Sequence, residues 1–191
     1  MEKIKEHYFK NDTEFRSWLH INHSQREGIY LIFYSVGHQN DSMRWEEAVK
    51  VALCYGWIDS TVKSLGDGKR RQYFCRRKPK SVWSKVNKKY IEDLQSKEMM
   101  HESGIKAVEI AKENGSWIAL DDVEEGIVPL DLKRVFDQNS TAYTNFQNFT
   151  RGQRKSYLYY LNQAQREATR QKRIAEIILC CEQNIKSRTT R

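Results

Sequence analysis

The sequence predicts an α+β fold: a small three-stranded antiparallel or mixed sheet with helices, followed by an all-helical C-terminal half. Three observations carry this. The run "GIYLIFYS" from Gly28 is β-branched and aromatic and too short for a helix. Gly66-Asp67-Gly68 separates "WIDSTVKSL" from "RQYFCRRK", and Asp-Gly between β-formers marks a hairpin. From Ser84 onward, apolar residues recur at helical spacing.

Taken in order, "DTEFRSWLHINH" reads as a helix over residues 12–23, capped by Asp12 or Thr13, with Phe15, Trp18 and Leu19 on one face. The strand from Gly28 follows. "SMRWEEAVKVALCYG" reads as a second helix. Ser42 is its expected N-cap, Glu46 and Glu47 sit where the dipole favours them, and Trp45, Ala48, Val49, Ala52 and Leu53 form its stripe. Gly56 is the expected C′ residue. The hairpin spans 57–78. Ser84 caps a helix carrying Val86, Tyr90, Ile91 and Leu94, and Ser103 caps one that ends at Gly115. Pro129 opens a short helix with Leu132, Val135 and Phe136; Ser140 caps the next. Thr150 with Gln153 makes a capping box. The last helix carries Ile174, Ile177, Ile178, Cys181 and Ile185, and the tail "KSRTTR" is expected to fray.

The 191 residues suffice to bury a core without disulfides or metal. The expected organisation is an α+β core over 1–120 and a helical region over 121–191 packed on it as one compact unit. "DDVEEGIVP" at the boundary is a hinge or an exposed loop. The opening "MEKIKEHYFKND" is charged and reads as no signal peptide, and no apolar run is long enough to span a membrane. Cys54, Cys75, Cys180 and Cys181 form no C-x-x-C pair and no disulfide framework, so a cytoplasmic setting is expected. The net charge of +8 divides into −2 over 1–62, +9 over 63–97, −6 over 98–150 and +7 over 151–191. Two basic blocks around an acidic one favour anionic partners, or neutralise one another in the fold.

Most catalytic signatures are missing. His20 and His23 stand three apart on one helix, but no further ligands accompany them, His7, His38 and His101 are isolated, and H-E-x-x-H is absent. No metal and no cofactor is expected. Cys54 and Cys75 read as small buried hydrophobes, and "LGDGKR" lacks phosphate-loop spacing. The cationic hairpin tip and its return strand resemble the wing of a nucleic-acid-binding domain, but Glu46 and Glu47 on the preceding helix oppose phosphate. The remaining candidate is Asp59. Hairpin pairing brings it near the level of Arg76–Lys78, where it is expected to meet a guanidinium, with Trp45, Trp57 and Trp83 gathered around it. This constellation is either a polar joint that locks the hairpin or a shallow anion or peptide pocket with indole walls.

The stretches "WEEAVKVALCYGWIDS", "YFCRRKPKSVWSKVN", "GSW", "VPLDL" and "RKSYLYYLNQAQREATRQKRI", in this order over residues 11–180, resemble the bacteriocin-protection family, also called YdeI/OmpD-associated. Phe74, Arg77, Lys78, Pro79, Lys80, Ser81, Trp83, Ser84 and Asn87 match its R-F-T-P-R-[RK]-P-[RK]-S-x-W-S-x-x-N motif, while Tyr73, Cys75 and Arg76 depart from it. Arg170 and Arg173 match its C-terminal motif. The resemblance implies a bacterial, intracellular protein linked to tolerance of bacteriocins and cationic antimicrobial peptides, with some members associated with outer-membrane porins. It carries over no reaction, cofactor or catalytic residue.

The expected function is therefore a non-enzymatic stress-tolerance protein that binds an anionic or peptide ligand or a protein partner. Its expected contact surface is Trp45, Trp57, Asp59, Arg77, Lys78, Lys80, Trp83, Ser84 and Asn87. The alternatives are a nucleic-acid-binding protein using the basic 69–89 stretch, and a hydrolase or transferase with Asp59 as general base.

Overall fold

A computed structural model of the chain describes residues 5–187. The expected fraying of the tail lies, over 188–191, outside the described residues, as do the first four residues of the charged opening segment. The chain divides into two compact units at Ile118–Ala119.

The first unit holds β1 (Glu6–Tyr8), α1 (Asp12–Asn22), β2 (Gly28–Tyr34), α2 (Trp45–Cys54), β3 (Trp57–Gly66), β4 (Lys69–Arg76), α3 (Lys85–Ser96) and α4 (Glu102–Glu113). The sheet has four strands in the order β1-β2-β4-β3, not three. It is mixed, because β1 runs parallel to β2 while the other pairings are antiparallel. The extra strand is only three residues long and shows no alternation that sequence could reveal. Its partners are tertiary: Arg71 donates to the Glu6 carboxylate at 2.6 Å, and the His7 ring lies 5.2 Å from Trp18. In the hairpin turn Asp67 and Gly68 both take positive φ, 48° and 67°, the primed geometry that Asp-Gly serves.

Several helix starts differ from expectation. Asn11, not Asp12 or Thr13, caps α1 by accepting the Glu14 N–H at 3.0 Å. Ser42 sits ahead of α2, and its hydroxyl accepts the Tyr34 N–H at 3.1 Å, extending the edge of the sheet. At the actual cap, Arg44, the backbone N–H donates to the Glu47 carboxylate at 2.7 Å. His101 rather than Ser103 caps α4, its Nδ1 accepting the Ser103 N–H at 3.2 Å. In each case a side chain other than the expected cap reaches an N–H at the helix start that has no intrahelical partner.

The core of this unit joins Phe15 and Leu19 of α1, Leu31 and Phe33 of β2, Phe74 of β4 and the apolar face of α2. It also takes in Trp57 and Trp83, which are 0% and 1% exposed. Burying two indoles this fully contributes several kcal/mol (about 25 cal/mol per Å² of apolar surface) and fixes the start of β3 and the segment before α3.

The regular elements among the described residues of the second unit are all helices: α5 (Asp121–Glu125), α6 (Leu130–Asp137), α7 (Ser140–Asn148), α8 (Arg151–Asn162) and α9 (Glu167–Glu182). Leu132, Phe136, Phe146, Tyr157, Leu161, Ile174 and Ile177 fill its interior. Asn139, not Ser140, caps α7, whereas Thr150 and Gln153 form a reciprocal capping box on α8. "DDVEEG" is not a plain loop. It is a one-turn helix ended by Gly126 at φ 78°, and its Glu124 is buried against Lys155 at 2.7 Å. Asp131 of α6 receives Arg170 of α9 through two nitrogens, and that guanidinium holds the Asp131 carboxyl below the usual carboxylate range.

Candidate functional site

The nine expected site residues fall into three separate environments, all within the first unit. Asp59 and Trp45 form one. Asp59 pairs across the sheet with Phe74, and its Oδ2 accepts from Trp45 Nε1 at 3.0 Å and from Gln72 Nε2 at 2.5 Å. Among the described residues it takes neither a guanidinium nor an ammonium as a contact partner. Gln72 is buried and its amide needs an acceptor, so the carboxylate completes a polar joint between β3, β4 and the start of α2.

Trp57 belongs to the core alone. Its indole N–H donates to the His23 carbonyl at 3.2 Å, and its ring meets Trp18 edge-on at 6.1 Å. Trp83 instead packs on Trp117, with ring centroids 5.0 Å apart. Each of the three indoles expected to gather thus has a different partner.

The third environment is a cleft of about 340 Å³ that contains Arg77, Lys78 and Trp83. It opens between the end of α1, the α2–β3 turn, the segment leaving β4 and one face of α4. Its construction follows from local sequence. Gly56 adopts φ 73°, which lets the chain reverse from α2 into β3, and its carbonyl accepts the Arg77 N–H at 2.9 Å. Pro79 ends the strand direction, and its carbonyl accepts from Asn114 Nδ2 at 2.8 Å and Ser116 Oγ at 3.2 Å. Ser84 then starts α3 by accepting the Asn87 N–H at 3.2 Å. Ser84 and Asn87 therefore act as a cap behind Trp83, and Lys80 is exposed beside the cleft without lining it.

Arg77 is the unusual group. Its Cζ lies 3.6 Å from the centroid of the Trp83 ring, and one terminal nitrogen donates to the Val82 carbonyl at 2.7 Å. Nε and the other terminal nitrogen are buried with no hydrogen-bond partner among the described residues. Burial lowers its pKa to about 10, against the pull of the Asp59 charge. It therefore stays cationic at neutral pH, in surroundings that solvate a cation poorly.

The facing wall could not be found from local sequence. His23 comes from the end of α1, Tyr55 and Gly56 from the turn, and Ser103, Lys106, Ala107 and Ile110 from α4. The three histidines 20, 23 and 101 also converge here: the His101 ring lies 4.7 Å from His23 and 5.9 Å from His20, and stacks on Tyr55 at 4.9 Å. Burial and the other two imidazoles lower the His101 pKa. Among the described residues no group of three or more His, Cys, Asp or Glu is arranged to hold a metal ion. Burial pushes the Cys54 and Cys75 thiols up, away from thiolate chemistry. No described helix is long and apolar enough to cross a membrane.

A larger open groove of about 640 Å³ lies near the hairpin tip, bordered by Val36, Trp45, Val62 and Arg70. Most of these side chains are exposed, and the β3 edge beside it is interrupted by two register shifts. The cations of the expected nucleic-acid wing are partly engaged: Arg71 pairs with Glu6, and Arg70 lies over the Phe33 ring at 5.3 Å.

Comparison with known protein families separates the two units. Residues 7–107 match the family model described as a domain of unknown function, DUF8412. Residues 125–184 match the model described as "Bacteriocin-protection, YdeI or OmpD-Associated". Of the stretches that resemble that family, "VPLDL" and "RKSYLYYLNQAQREATRQKRI" fall inside its match and "YFCRRKPKSVWSKVN" falls inside the first. The Asp131–Arg170 pair joins the first two of these. No curated protein and no solved structure gives a significant match to the chain.

Proposed function

The chain belongs to the DUF8412 family, and on that premise we propose that it is a non-enzymatic bacterial stress-tolerance protein whose first unit recognises an anionic ligand in the Arg77–Trp83 cleft. The bacteriocin-protection segment supplies the context of that recognition, and the cytoplasm is its proposed setting, in keeping with four free thiols.

One observation carries the reading. The cleft is lined by Arg76, Arg77, Lys78 and Lys106 and, among the described residues, by no carboxylate. Charge of one sign in a concave, partly dry site raises the local concentration of the opposite sign. The same charge disfavours direct capture of a cationic peptide there.

The test is survival of a sensitive bacterial strain challenged with a cationic antimicrobial peptide such as polymyxin B. Expression of the wild-type chain is expected to raise survival. The double charge reversal Lys78→Glu, Lys106→Glu, which alters two exposed side chains, is expected to abolish the gain while circular dichroism stays unchanged. Full protection by the folded reversal variant, or none by wild type, overturns the proposal.

A further inference from the structure

We propose that the cleft takes a small organic anion, a single carboxylate or phosphate group on a flat apolar body. This deepens the anion-binding reading above and rests on it.

The body is argued from the walls. Pro79, Ala107 and Ile110 supply apolar surface, backed by Trp83, which is itself almost wholly buried. One face of the Trp83 ring is already covered by the Arg77 guanidinium. Tyr55 and His23 also line the cleft, their rings 5.5 Å apart, and Tyr55 is held in place by its stack on His101, inclined by only 26°. A hydrated inorganic ion would leave this surface wet. A planar ring covers it and displaces that water. The volume, about 340 Å³, stands at the low end for small-molecule sites and fits one or two fused rings rather than a folded peptide. Gly56 keeps the wall low: a Cβ there would come within 2.9 Å of the Ser103 carbonyl oxygen and 3.1 Å of the Ala107 Cβ.

The head group is argued from the cations. Lys78 and Lys106 are exposed ammonium groups that line the cleft with no ion-pair partner among the described residues, so each is available to an anionic oxygen. Arg77 lines the same cleft, its positive charge met by no contacting carboxylate among the described residues. A buried cation left this way is costly to the free protein, and an anion across the cleft compensates it without displacing Arg77 from Trp83.

The experiment is isothermal titration calorimetry on the full chain with three probes: 1-naphthoate, its neutral isostere 1-naphthamide, and inorganic phosphate. Saturable naphthoate binding is expected, with the amide and phosphate each at least about tenfold weaker, since one desolvated charge and one buried ring system are each worth that much. Lys78→Gln and Lys106→Gln are each expected to weaken naphthoate about fivefold with unchanged melting temperature. If phosphate binds as tightly as naphthoate, the anion site stands and the apolar body falls. If the amide matches the acid, or if neither anion saturates the folded protein, the anion-binding reading falls with it.

Discussion

Helix α4 forms one wall of the cleft, and Gly104 sets how close it sits. The Gly104 backbone rests on the last turn of α2, where a Cβ would lie 2.1 Å from the Cys54 carbonyl oxygen and 2.8 Å from that of Leu53. Ordinary contact begins at 3.4 Å, so Gly104→Ala forces α4 back by about 1.3 Å. That retreat breaks two ties to the end of α2: the His101 N–H to the Cys54 carbonyl at 3.0 Å and the Ser103 hydroxyl to the Tyr55 carbonyl at 3.1 Å. Each bond is worth about 1 kcal/mol net, and overpacking a close interface costs about 1–3 kcal/mol more. Against this, alanine gains about 1 kcal/mol of helix propensity over glycine. The expected net loss is about 2–4 kcal/mol. All five tryptophans precede Ile118, so tryptophan fluorescence during urea unfolding reports the first unit alone. Gly152→Ala in α8 meets nothing within 4 Å and serves as the contrast, with no loss expected by far-ultraviolet circular dichroism. A Gly104→Ala midpoint equal to or above wild type would refute the close seating of α4 and with it the shape of the cleft.

Acidification should loosen the same wall. The folded His101 pKa lies below the ordinary 6.5, so its contribution is complete above 6.5 and fades as pH falls through the folded value; His7, also lowered by burial, acts in the same direction. His101→Asn keeps an acceptor for the Ser103 N–H and should flatten the pH dependence of the fluorescence-monitored midpoint between pH 7 and about pH 5. Asp59→Asn retains an oxygen for Trp45 and Gln72, so it should cost only about 1 kcal/mol in urea unfolding and leave polymyxin survival intact; loss of protection in a folded Asp59→Asn protein would instead favour a chemical role. In the second unit, Arg170→Met removes the partner that stabilises ionised Asp131. A loss of about 1–2 kcal/mol is expected at neutral pH by circular dichroism, shrinking as pH falls below the ordinary Asp value of 3.8.

Features whose causes lie within a few residues were legible in the sequence. The Asp67-Gly68 turn, the Ser84 cap, the Thr150–Gln153 box and the stripe from Ile174 to Cys181 each depend on local geometry, and each forms. Features decided by distant partners were not. Glu6–Tyr8 becomes a strand because β2 has a free edge. Asp59 was expected beside a guanidinium from hairpin register alone, but Gln72 and Trp45 stand closer and have donors to satisfy. Trp57, read as a pocket wall, points into the core on the same face as Phe74, where removal from water outweighs display. The cleft is half legible. Arg77, Lys78 and Trp83 lie together in one motif, whereas His23, Tyr55, Ser103 and Lys106 arrive from three other elements. A glycine inside α4, two residues before Lys106, was the one local sign of a close approach there.

The site itself is tested most directly by amide chemical shifts of isotope-labelled protein during titration with 1-naphthoate. Binding in the cleft predicts saturating shifts at Gly56, Arg77, Lys78, Ser103, Lys106 and Ala107, with the hairpin tip at Gly66–Arg70 silent. Shifts concentrated at that tip, or none in a folded sample, would contradict it.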